Sequence, residues 1–578
     1  MRRILPVLLT LIATAVIRPA GAGAAPVLVL GRDGHVSVRD DPFLSAVPVT
    51  PPPAWQTVPA TPPPASKAGL SAHARAARGP LAHSAKARRA GRPPRPQATF
   101  YGALKRLYHR GSIGPSAYAA AAESFRAALA AERRLRGTRR AELASVTETM
   151  HMIAASHQLT PSRLPAIEAT LAANRQWWTT GPLLAPDQRV EFAGSQLVWE
   201  YYPGQGIQLQ ILGSFGKADG LYTAGPSQYP ALEQLLSELV PLASQRGGGL
   251  AWEYWFHFDG GSPPWTSAMS QATALEALTR GYQATGDPSY LSIAAQALPI
   301  FSRPPPVGVA VRTPLGVRFL QYTFSPGTAI INAFLQTLIG LQYFAHVSGN
   351  PTAAALFAAG NAEAQAEVPA YNTGAWSLYQ PGIEDTLGYH ELVTGFLQQL
   401  CQLTGAPVYC TTAQAFRNDL TTPPRLFQHT LRARARTPFE LRFSLSKYSH
   451  VGVVLTKGAR TVFQTSASFP YGSDGFAIPG LPGPGAYGVR LAATDLAGNF
   501  ARIVGTLVVA PRARPHRRRP GRRGTGGPTG SGAPPTGSTG SGTPPTGSTG
   551  SGTPPTGSTG SGTATGGSGG AGAAPASG

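Results

Sequence analysis

A phenol beside a positive charge is the first feature of this sequence that suggests chemistry. In the stretch RFLQYTFSPGTAIIN, the alternation of a β-strand would put Arg318, Leu320 and Tyr322 on one face. A neighbouring cation lowers the pKa of a phenol from its usual value of about 10. The resulting phenolate could remove a weakly acidic C–H proton from a substrate. The alternative is that Arg318 is only a surface salt-bridge partner.

A second phenol and an imidazole stand side by side at Tyr389 and His390, where a helix is predicted to begin. Both groups can take part in proton transfer. A single histidine is as often structural, so both roles stay open for His390.

Four stretches combine aromatic rings, glycines and few charges. They are YYPGQG from 201, WEYWFHFDGGSPPW from 252, RFLQYTFSPGTAIIN from 318 and YNTGAWSLYQPGIEDTLGYH from 371. Exposed aromatic rings can stack on the apolar faces of sugars, and amide and hydroxyl groups can bind sugar hydroxyls. Any single ring could equally belong to the core. The four stretches together predict a carbohydrate-binding groove.

The charge of the chain is concentrated in its flanks. The 578 residues include 49 Lys and Arg against 27 Asp and Glu, a net charge of +22. Basic clusters at 67–95 and 512–523 contain no acid, whereas 181–420 holds more acids than bases. No nucleic-acid-binding motif accompanies the basic clusters. We therefore expect no nucleic-acid partner, and basic linkers that contact a cell wall or another anionic envelope polymer.

The N-terminus predicts export. Residues 1–24 have a basic start, a 14-residue largely apolar run and a small-residue cleavage pattern, as in a signal peptide. The run is short for a transmembrane anchor, so we expect a secreted or envelope-associated protein without one. Residues 25–97 are rich in Pro, Ala and basic residues and are predicted to be disordered.

The middle of the chain predicts a mostly helical fold with some β-structure. Residues 98–180 have helical spacing and form a helical preface. Strand-like alternation follows at 190–216, and paired helical patterns with aromatic connections then continue to 420. We interpret 181–420 as an α/α toroid with a preceding β segment, whose loop side would form a groove for a polymer.

Residues 421–510 alternate apolar and polar positions between Gly and Pro turns, which predicts an Ig-like β-sandwich without catalytic groups. It would serve as a spacer or as a module facing carbohydrate or the wall. Residues 511–578 hold an Arg cluster and three copies of a PPTGSTGSGT-like repeat, which predict a disordered tail.

The two cysteines, Cys401 and Cys410, bracket a predicted loop. Export to an oxidising compartment would allow them to pair, and two free buried thiols are the alternative. The sequence contains no phosphate-binding loop or dinucleotide fingerprint, and Asp259 with its glycines is too little for a cation site. We therefore predict no metal and no cofactor.

The four aromatic stretches, in their order, resemble the D-glucuronyl C5-epimerase family. YYPGQGIQLQ with GSFGKADGL is similar to its early strand motif, and WEYWFHFDGG with PPWTSAMSQATALEALTRGYQATGD to its central block. QYTFSPGTAIINAFLQTLIGL, YNTGAWSLY and GYHELVTGFLQQL resemble its later segments. The resemblance covers about 195–404.

The resemblance implies an isomerase that inverts C5 of glucuronate within an acidic polysaccharide, without a cofactor. Its active tyrosines would be Tyr322, Tyr379 and Tyr389. Removing the proton α to the carboxylate creates an enediolate that needs stabilisation, and a second phenol returns a proton to the opposite face. The substrate-binding residues are predicted to be Gln205, Trp265, Arg318, Gln321, Asn332 and His390.

Two other functions stay open. Gln321 stands where the family has Glu, and Gln380-Pro381-Gly382 replaces a segment that carries an Arg. Both departures favour a catalytically silent glycan-binding protein on the same fold. A polysaccharide lyase, which shares the C5 proton abstraction but expels the 4-O substituent, is the third possibility.

Overall fold

The computed structural model describes residues 25–43 and 99–512. The predicted signal peptide, most of the segment predicted to be disordered, and the tail from 513 onward lie outside these residues. The described part is mostly helical with a sizeable sheet component, as expected. None of its helices is long and apolar enough to cross a membrane.

Residues 25–43 form two strands where the sequence predicted disorder. The first sheet has five strands in the order β2-β1-β3-β4-β5: β1 (Ala25–Leu30), β2 (Val36–Asp41), β3 (Arg189–Phe192), β4 (Trp199–Tyr202) and β5 (Gly206–Leu209). Val27 and Leu30 of β1 are buried, and Lys217 Nζ lies 3.0 Å from Asp41 and 2.8 Å from Glu191. The composition of the longer segment hid this short apolar and ion-paired hairpin.

Four helices follow the sheet hairpin: α1 (Phe100–His109), α2 (Pro115–Arg134), α3 (Gly137–Ala155) and α4 (Leu164–Thr180). They pack on one another and, through α3 and α4, on β5. Their buried side chains, such as Phe125 and Trp178, belong to the same apolar core as those of 181–420. The helical preface and the predicted catalytic region therefore share one core.

Eight further helices form two sets that alternate along the chain. They are α5 (Ile211–Thr223), α6 (Tyr229–Leu239), α7 (Ala268–Thr285), α8 (Ser289–Gln296), α9 (Ile331–Ser348), α10 (Pro351–Glu367), α11 (Leu387–Thr404) and α12 (Pro407–Asp419). The odd-numbered helices α5, α7, α9 and α11 are neighbours in that order, and each packs against the helix that follows it. This alternation is what an α/α toroid requires.

Three two-stranded hairpins lie in the connections between these helices. They are β6 (Ser244–Arg246) with β7 (Gly249–Ala251), β8 (Ala310–Arg312) with β9 (Val317–Phe319), and β10 (Leu378–Gln380) with β11 (Ile383–Glu384). The last two hairpins precede the odd-numbered helices α9 and α11, so they lie close to where those helices begin.

Residues 421–512 form two sheets around one apolar core. The smaller has the order β12 (Leu426–Gln428), β14 (Phe439–Leu445), β17 (Gly472–Ile478). The larger has the order β13 (Arg432–Arg434), β19 (Phe500–Ala510), β18 (Gly485–Asp495), β15 (Ser449–Lys457), β16 (Arg460–Phe469). Phe443 from one sheet and Leu455 and Leu491 from the other meet in the core. We call this part the β-sandwich; its Ig-like class stays a prediction.

Two local predictions need correction. Residues from Ile211 onward form a helix, although strand-like alternation extended to 216. The segment from Cys401 to Cys410 is not an open loop: it contains the end of α11 and the start of α12, and the two cysteines form a disulfide with a Cα–Cα distance of 4.9 Å. Gly405 takes the left-handed conformation that ends a helix, with φ of 66°.

Candidate active site

The three tyrosines named from the sequence come from three different elements. Tyr322 follows β9 in the loop before α9, Tyr379 lies in β10, and Tyr389 lies in the first turn of α11. The side chain of Thr386 caps that helix by accepting a hydrogen bond from the amide of Tyr389. The three tyrosines are therefore placed by a loop, a strand and the start of a helix.

The structure brings these three side chains together. The rings of Tyr379 and Tyr389 meet edge to face with centroids 5.1 Å apart. The hydroxyl of Tyr322 is close enough to those of Tyr379 and Tyr389 to interact with both. Only 4% of each residue is exposed. The rings thus converge, but behind a covered surface.

Burial keeps all three phenols protonated. It raises the pKa of Tyr322, Tyr379 and Tyr389 well above the usual value of about 10. The Asp259 carboxylate raises the pKa of Tyr322 further, and the Asp385 carboxylate does so for the other two. At neutral pH the three groups can therefore donate a proton or a hydrogen bond, but they carry no negative charge.

Arg318 does not lower the pKa of Tyr322, contrary to the expectation from strand alternation. The strand β9 ends at Phe319, so the alternation does not reach Tyr322. Arg318 instead pairs with Glu367 of α10, with Nε 2.7 Å from the carboxylate. This is the salt-bridge role that the sequence left as the alternative.

Tyr322 forms part of the wall of a narrow cavity of about 20 Å³, roughly the space of one water molecule. The wall consists of aromatic rings with a few amide and hydroxyl groups: Tyr202, Tyr254, Phe256, Phe258, Trp265, Tyr322, Gln210, Ser267 and Gln321. A sugar ring does not fit in this volume. The site as it stands is closed.

A tight turn covers this cavity. Phe258 and Gly261 exchange backbone hydrogen bonds, and the two residues between them, Asp259 and Gly260, have φ of 43° and 81°. Positive φ at both central positions fits the Asp-Gly sequence of a two-residue hairpin turn. The ring of Phe258 lies 5.6 Å from that of Tyr322, centroid to centroid. Phe258, the first residue of this turn, thus lies in the wall of the cavity beside Tyr322.

A chain of polar groups lines the opposite wall. The amide nitrogen of Gln210 donates to the hydroxyl of Tyr202 at 2.7 Å. The hydroxyl of Tyr254 lies 2.7 Å from that of Ser270 and 3.4 Å from the amide oxygen of Gln210. Burial raises the pKa of Tyr254 to about 12. These hydroxyls offer a buried hydrogen-bonding surface next to the three tyrosines.

The sequence did not single out Glu200, which stands behind this chain. Its carboxylate interacts with the nearby Tyr202 hydroxyl and lies 3.4 Å from Nε of Arg189. Burial raises the pKa of Glu200, while Arg189 opposes that rise. A signal was present, because an acid inside the apolar run Trp199–Tyr202 shares a strand face with Tyr202.

The predicted substrate-binding residues divide into two groups. Gln321 and Trp265 line the cavity; the amide oxygen of Gln321 accepts from the Ser267 hydroxyl at 3.2 Å, and its side chain interacts with the Tyr322 hydroxyl. Trp265 is covered, since it stacks on Tyr254 at 4.2 Å.

Gln205 and Asn332 do not line the cavity. The side chain of Gln205 accepts a hydrogen bond from the backbone of His257 at 3.0 Å, so it holds the covering loop. Asn332 is buried in the first turn of α9, and within the described residues its amide oxygen has no hydrogen-bond partner.

His390 occupies a structural position. Its Nε2 lies 2.9 Å from the carbonyl of Phe416, so this nitrogen must donate, and Nδ1 lies 2.8 Å from the hydroxyl of Ser377. The ring stacks on Trp376 at 3.8 Å. Burial lowers the pKa of His390 to about 4. Both nitrogens of a neutral imidazole are thus used by the protein, and His390 is not positioned to bind a substrate.

Asp385 completes this buried cluster. Its carboxylate lies 2.5 Å from the hydroxyl of Ser377, and burial raises its pKa to about 7. Among the described residues no group of three or more His, Cys, Asp or Glu could hold a metal ion.

A family model described as D-glucuronyl C5-epimerase C-terminus matches residues 247–418. Residues 247–418 carry the C-terminal domain of the D-glucuronyl C5-epimerase family. The match includes Tyr322, Tyr379 and Tyr389, whereas Glu200 and Tyr202 lie before it.

Two curated relatives match shorter stretches. A D-glucuronyl C5-epimerase of Caenorhabditis elegans is 30% identical over 130 residues, which is 20% of this chain and 21% of the relative. An uncharacterized protein of Methanocaldococcus jannaschii is 29% identical over 147 residues, which is 24% of this chain and 46% of the relative. The chain thus spans less than half the length of either relative.

Two solved structures are similar at a TM-score of 0.29. One is a GH76 alpha-mannanase of Bacteroides thetaiotaomicron, with 12% identity over 39% of this chain and 65% of that chain. The other is a sugar epimerase from a ruminal bacterium, with 13% identity over 38% of this chain and 61% of that chain.

Proposed function

We propose that this protein is a uronate C5-epimerase that inverts D-glucuronate residues within an acidic polysaccharide. The observation that carries the proposal is the convergence of Tyr322, Tyr379 and Tyr389 from three separate elements of the family-matched region. The three phenols come from distant parts of the chain, and Tyr322 lines a cavity whose aromatic wall also carries a few amide and hydroxyl groups. The epimerase family of this region supports a carbohydrate epimerase-like role.

The chemistry needs one proton acceptor and one proton donor on opposite faces of C5. The neutral phenols supply donors. For the acceptor we propose the Tyr202–Glu200 pair: the phenol oxygen takes the C5 proton while its own proton passes to the carboxylate. The electron pair of the broken C–H bond moves into the substrate carboxylate, forming an enediolate that hydrogen bonds stabilise.

A phenol on the other face then gives its proton to C5, which restores the C–H bond with inverted configuration. The sugar loses and regains one proton, so no oxidant, reductant or cofactor is needed. The enzyme is left with a protonated carboxylate and a phenolate, and exchange with water resets both. We propose Tyr389 or Tyr379 as the donor, since both lie with Tyr322 in one cluster.

Substrate entry requires the covering turn to move. Phe258 stands over Tyr322, and the turn Phe258–Gly261 is joined to the underlying loop mainly through Gln205 and ring contacts. A polymer that binds by its sugar faces could replace the ring of Phe258 on Trp265. We therefore propose that substrate binding displaces this turn.

The wider setting of the site is also proposed. The alternating helices α5 to α12 would form an α/α toroid, and the β-sandwich would be Ig-like. We further propose export through residues 1–24 and contact of the basic flanks with a wall or envelope polymer. The acidic substrate would be such an extracellular polysaccharide.

The test is exchange of the C5 proton with solvent. The full chain is incubated in heavy water with a panel of glucuronate-containing polymers, and deuterium at C5 is measured by NMR. We expect incorporation that is lost in Tyr389→Phe and retained in Tyr487→Phe, a matched substitution in the β-sandwich whose hydroxyl donates to the Gly483 carbonyl. No incorporation with any polymer would refute the proposal, and new ultraviolet absorbance from an unsaturated uronate would indicate a lyase.

A catalytically silent glycan-binding protein is the second candidate. Two observations favour it: the three phenols stay protonated, and Gln321, next to Tyr322, stands where the family has an acid. Glycan-array binding that survives Tyr322→Phe and Tyr389→Phe, with no turnover, would select it.

A further inference from the structure

The β10–β11 hairpin is held from two sides. One strand carries Tyr379 of the candidate site, and the other ends at Glu384. Both carboxylate oxygens of Glu384 accept backbone N–H groups of the β-sandwich, from Tyr448 and Tyr471, each at 2.8 Å. Glu384 is buried. The β10–β11 hairpin thus joins the tyrosine cluster to the β-sandwich.

Lys447 of the β-sandwich provides a second anchor. Its buried ammonium donates to the carbonyl of Asp419 at the end of α12, at 2.7 Å, and lies 2.6 Å from the carboxylate of Asp495. It also lies 5.1 Å from the ring centroid of Trp376. A buried ammonium without such partners would be strongly unfavourable, so these contacts fix where the two parts meet.

Trp376 connects Lys447 with the segment that carries Tyr379 and Tyr389. Its indole N–H donates to the carbonyl of Asp385 at 2.8 Å, and its ring stacks on His390. His390 follows Tyr389 directly in the chain, and Ser377 links His390 to the carboxylate of Asp385. The segment 376–390, which carries two of the three tyrosines, therefore contacts the β-sandwich at Trp376 and at Glu384.

We infer that the β-sandwich is a positioning module of the candidate active site, with Glu384 and Lys447 as its positioning residues. They hold the β10–β11 hairpin so that Tyr379 stays against Tyr389. The inference rests on the proposed function, and it replaces the expectation that 421–510 is only a spacer. Neither residue contacts the substrate; each acts through the hairpin.

Two charged side chains, Glu384 and Lys447, are buried at this junction. A spacer module would be joined by a flexible linker and a largely polar, hydrated interface. Here a carboxylate and an ammonium are both buried: Glu384 takes both of its N–H partners from the β-sandwich, and Lys447 donates to the Asp419 carbonyl across the junction while it pairs with Asp495 within the β-sandwich. Removing one partner of such an arrangement is costly, because the other is left buried without compensation.

The first test compares Lys447→Met with Lys457→Met in the full chain. Lys457 is a matched control, since it lies on the β-sandwich, 5.2 Å from the Tyr487 ring centroid, and donates to a carbonyl at 3.1 Å away from the junction. Hydrogen–deuterium exchange followed by mass spectrometry reports on peptides that cover 376–390. We expect these amides to exchange at least about tenfold faster in Lys447→Met, and unchanged in the control.

The second readout is the kinetics of C5 exchange. A displaced Tyr379 affects the reaction more than polymer binding, so kcat should fall by roughly 10- to 100-fold in Lys447→Met while KM changes little. The control should keep the wild-type kcat. A structural loss alone would lower the amount of folded enzyme, which near-ultraviolet circular dichroism and thermal melting detect separately.

Glu384→Gln provides the milder variant, with Glu440→Gln as its control. In Glu384→Gln the amide oxygen can still accept one backbone N–H, but the amide NH₂ group then faces the other backbone N–H. The control residue Glu440 is exposed and pairs with Arg442. We expect faster exchange in 376–390 and a lower kcat for Glu384→Gln only. Unchanged exchange and kcat in both junction variants would overturn the inference.

The two proposals fail in different ways. If the wild-type chain incorporates no deuterium into any polymer, the proposed function is refuted, but the amide exchange of 376–390 still decides whether the β-sandwich positions this segment. If the wild type is active and the junction variants match their controls in both readouts, only the positioning inference is wrong.

Discussion

Protonation of His390 should destabilise the fold by an amount that its surroundings determine. The side chain has no exposed surface, and both ring nitrogens are engaged by Phe416 and Ser377 as a neutral imidazole. Burial lowers its pKa from 6.5 to about 4. The difference of about 2.5 pKa units corresponds to about 3 kcal/mol.

The direction of the pH effect on stability follows from the linkage between proton binding and folding. Above pH 6.5 His390 is neutral in both the folded and the unfolded state, so its contribution to stability is fully present. As the pH falls, the unfolded chain binds a proton first, and the contribution is lost progressively toward pH 4. Several buried carboxyls with raised pKa values, such as Glu384 and Asp385 at about 7, oppose this trend. The effect of His390 must therefore be measured as a difference.

The assay compares wild type with His390→Gln between pH 8 and pH 4.5. An NMR titration of the imidazole should give a native-state pKa near 4, and the apparent unfolding free energy of the wild type should fall by about 2–3 kcal/mol relative to the variant over this range. A native-state pKa near 6.5, or parallel pH dependences for the two proteins, would refute the structural role assigned to His390.

Three further predictions concern the site and its support. Glu200→Gln should lower C5 exchange by roughly 10²- to 10⁴-fold if this carboxylate receives the proton, as measured by deuterium incorporation; an unchanged rate would exclude it. Phe258→Ala should speed the association of a short glucuronate oligosaccharide in stopped-flow experiments, because the covering ring is removed; an unchanged rate would show that this turn does not limit entry. Replacing Cys401 and Cys410 together by Ser should lower the unfolding free energy by about 2–3 kcal/mol for a closed loop of this length, and an unchanged urea midpoint would contradict this.

The sequence could name the tyrosines of the candidate site, but not the environment that surrounds them. Tyr322, Tyr379 and Tyr389 were named from the resemblance of ordered motifs to the D-glucuronyl C5-epimerase family. Their protonation could not be predicted, since it depends on burial by rings that are distant in sequence. The Arg318 prediction was wrong because a two-residue period was extended past Phe319, where the strand ends.

The boundary between α11 and α12 was also hard to predict, because the same residues can mark a loop or a tight connection between helices. Gly405 and Pro407 were interpreted as a loop, but a glycine just after one helix and a proline in the first turn of the next are also the signals of a tight helix–helix connection. The hairpin of β1 and β2 was missed because its apolar strand is short and its buried Asp41 pairs with Lys217, 176 positions further along the chain. Contacts of that kind leave no periodic signal.

The buried charges lead to a final argument about the proton acceptor. With three neutral phenols in the cluster, a base at neutral pH has to be a carboxylate that stays ionised or a phenol that is paired with one. Asp385 is engaged by Ser377 and belongs to the His390 cluster, so its place is structural. Glu200 pairs with Arg189, which favours its ionised form against the effect of burial, and it reaches the cavity through Tyr202. A reaction that used this route would place the acceptor outside the family-matched region, on the sheet that begins with the N-terminal hairpin.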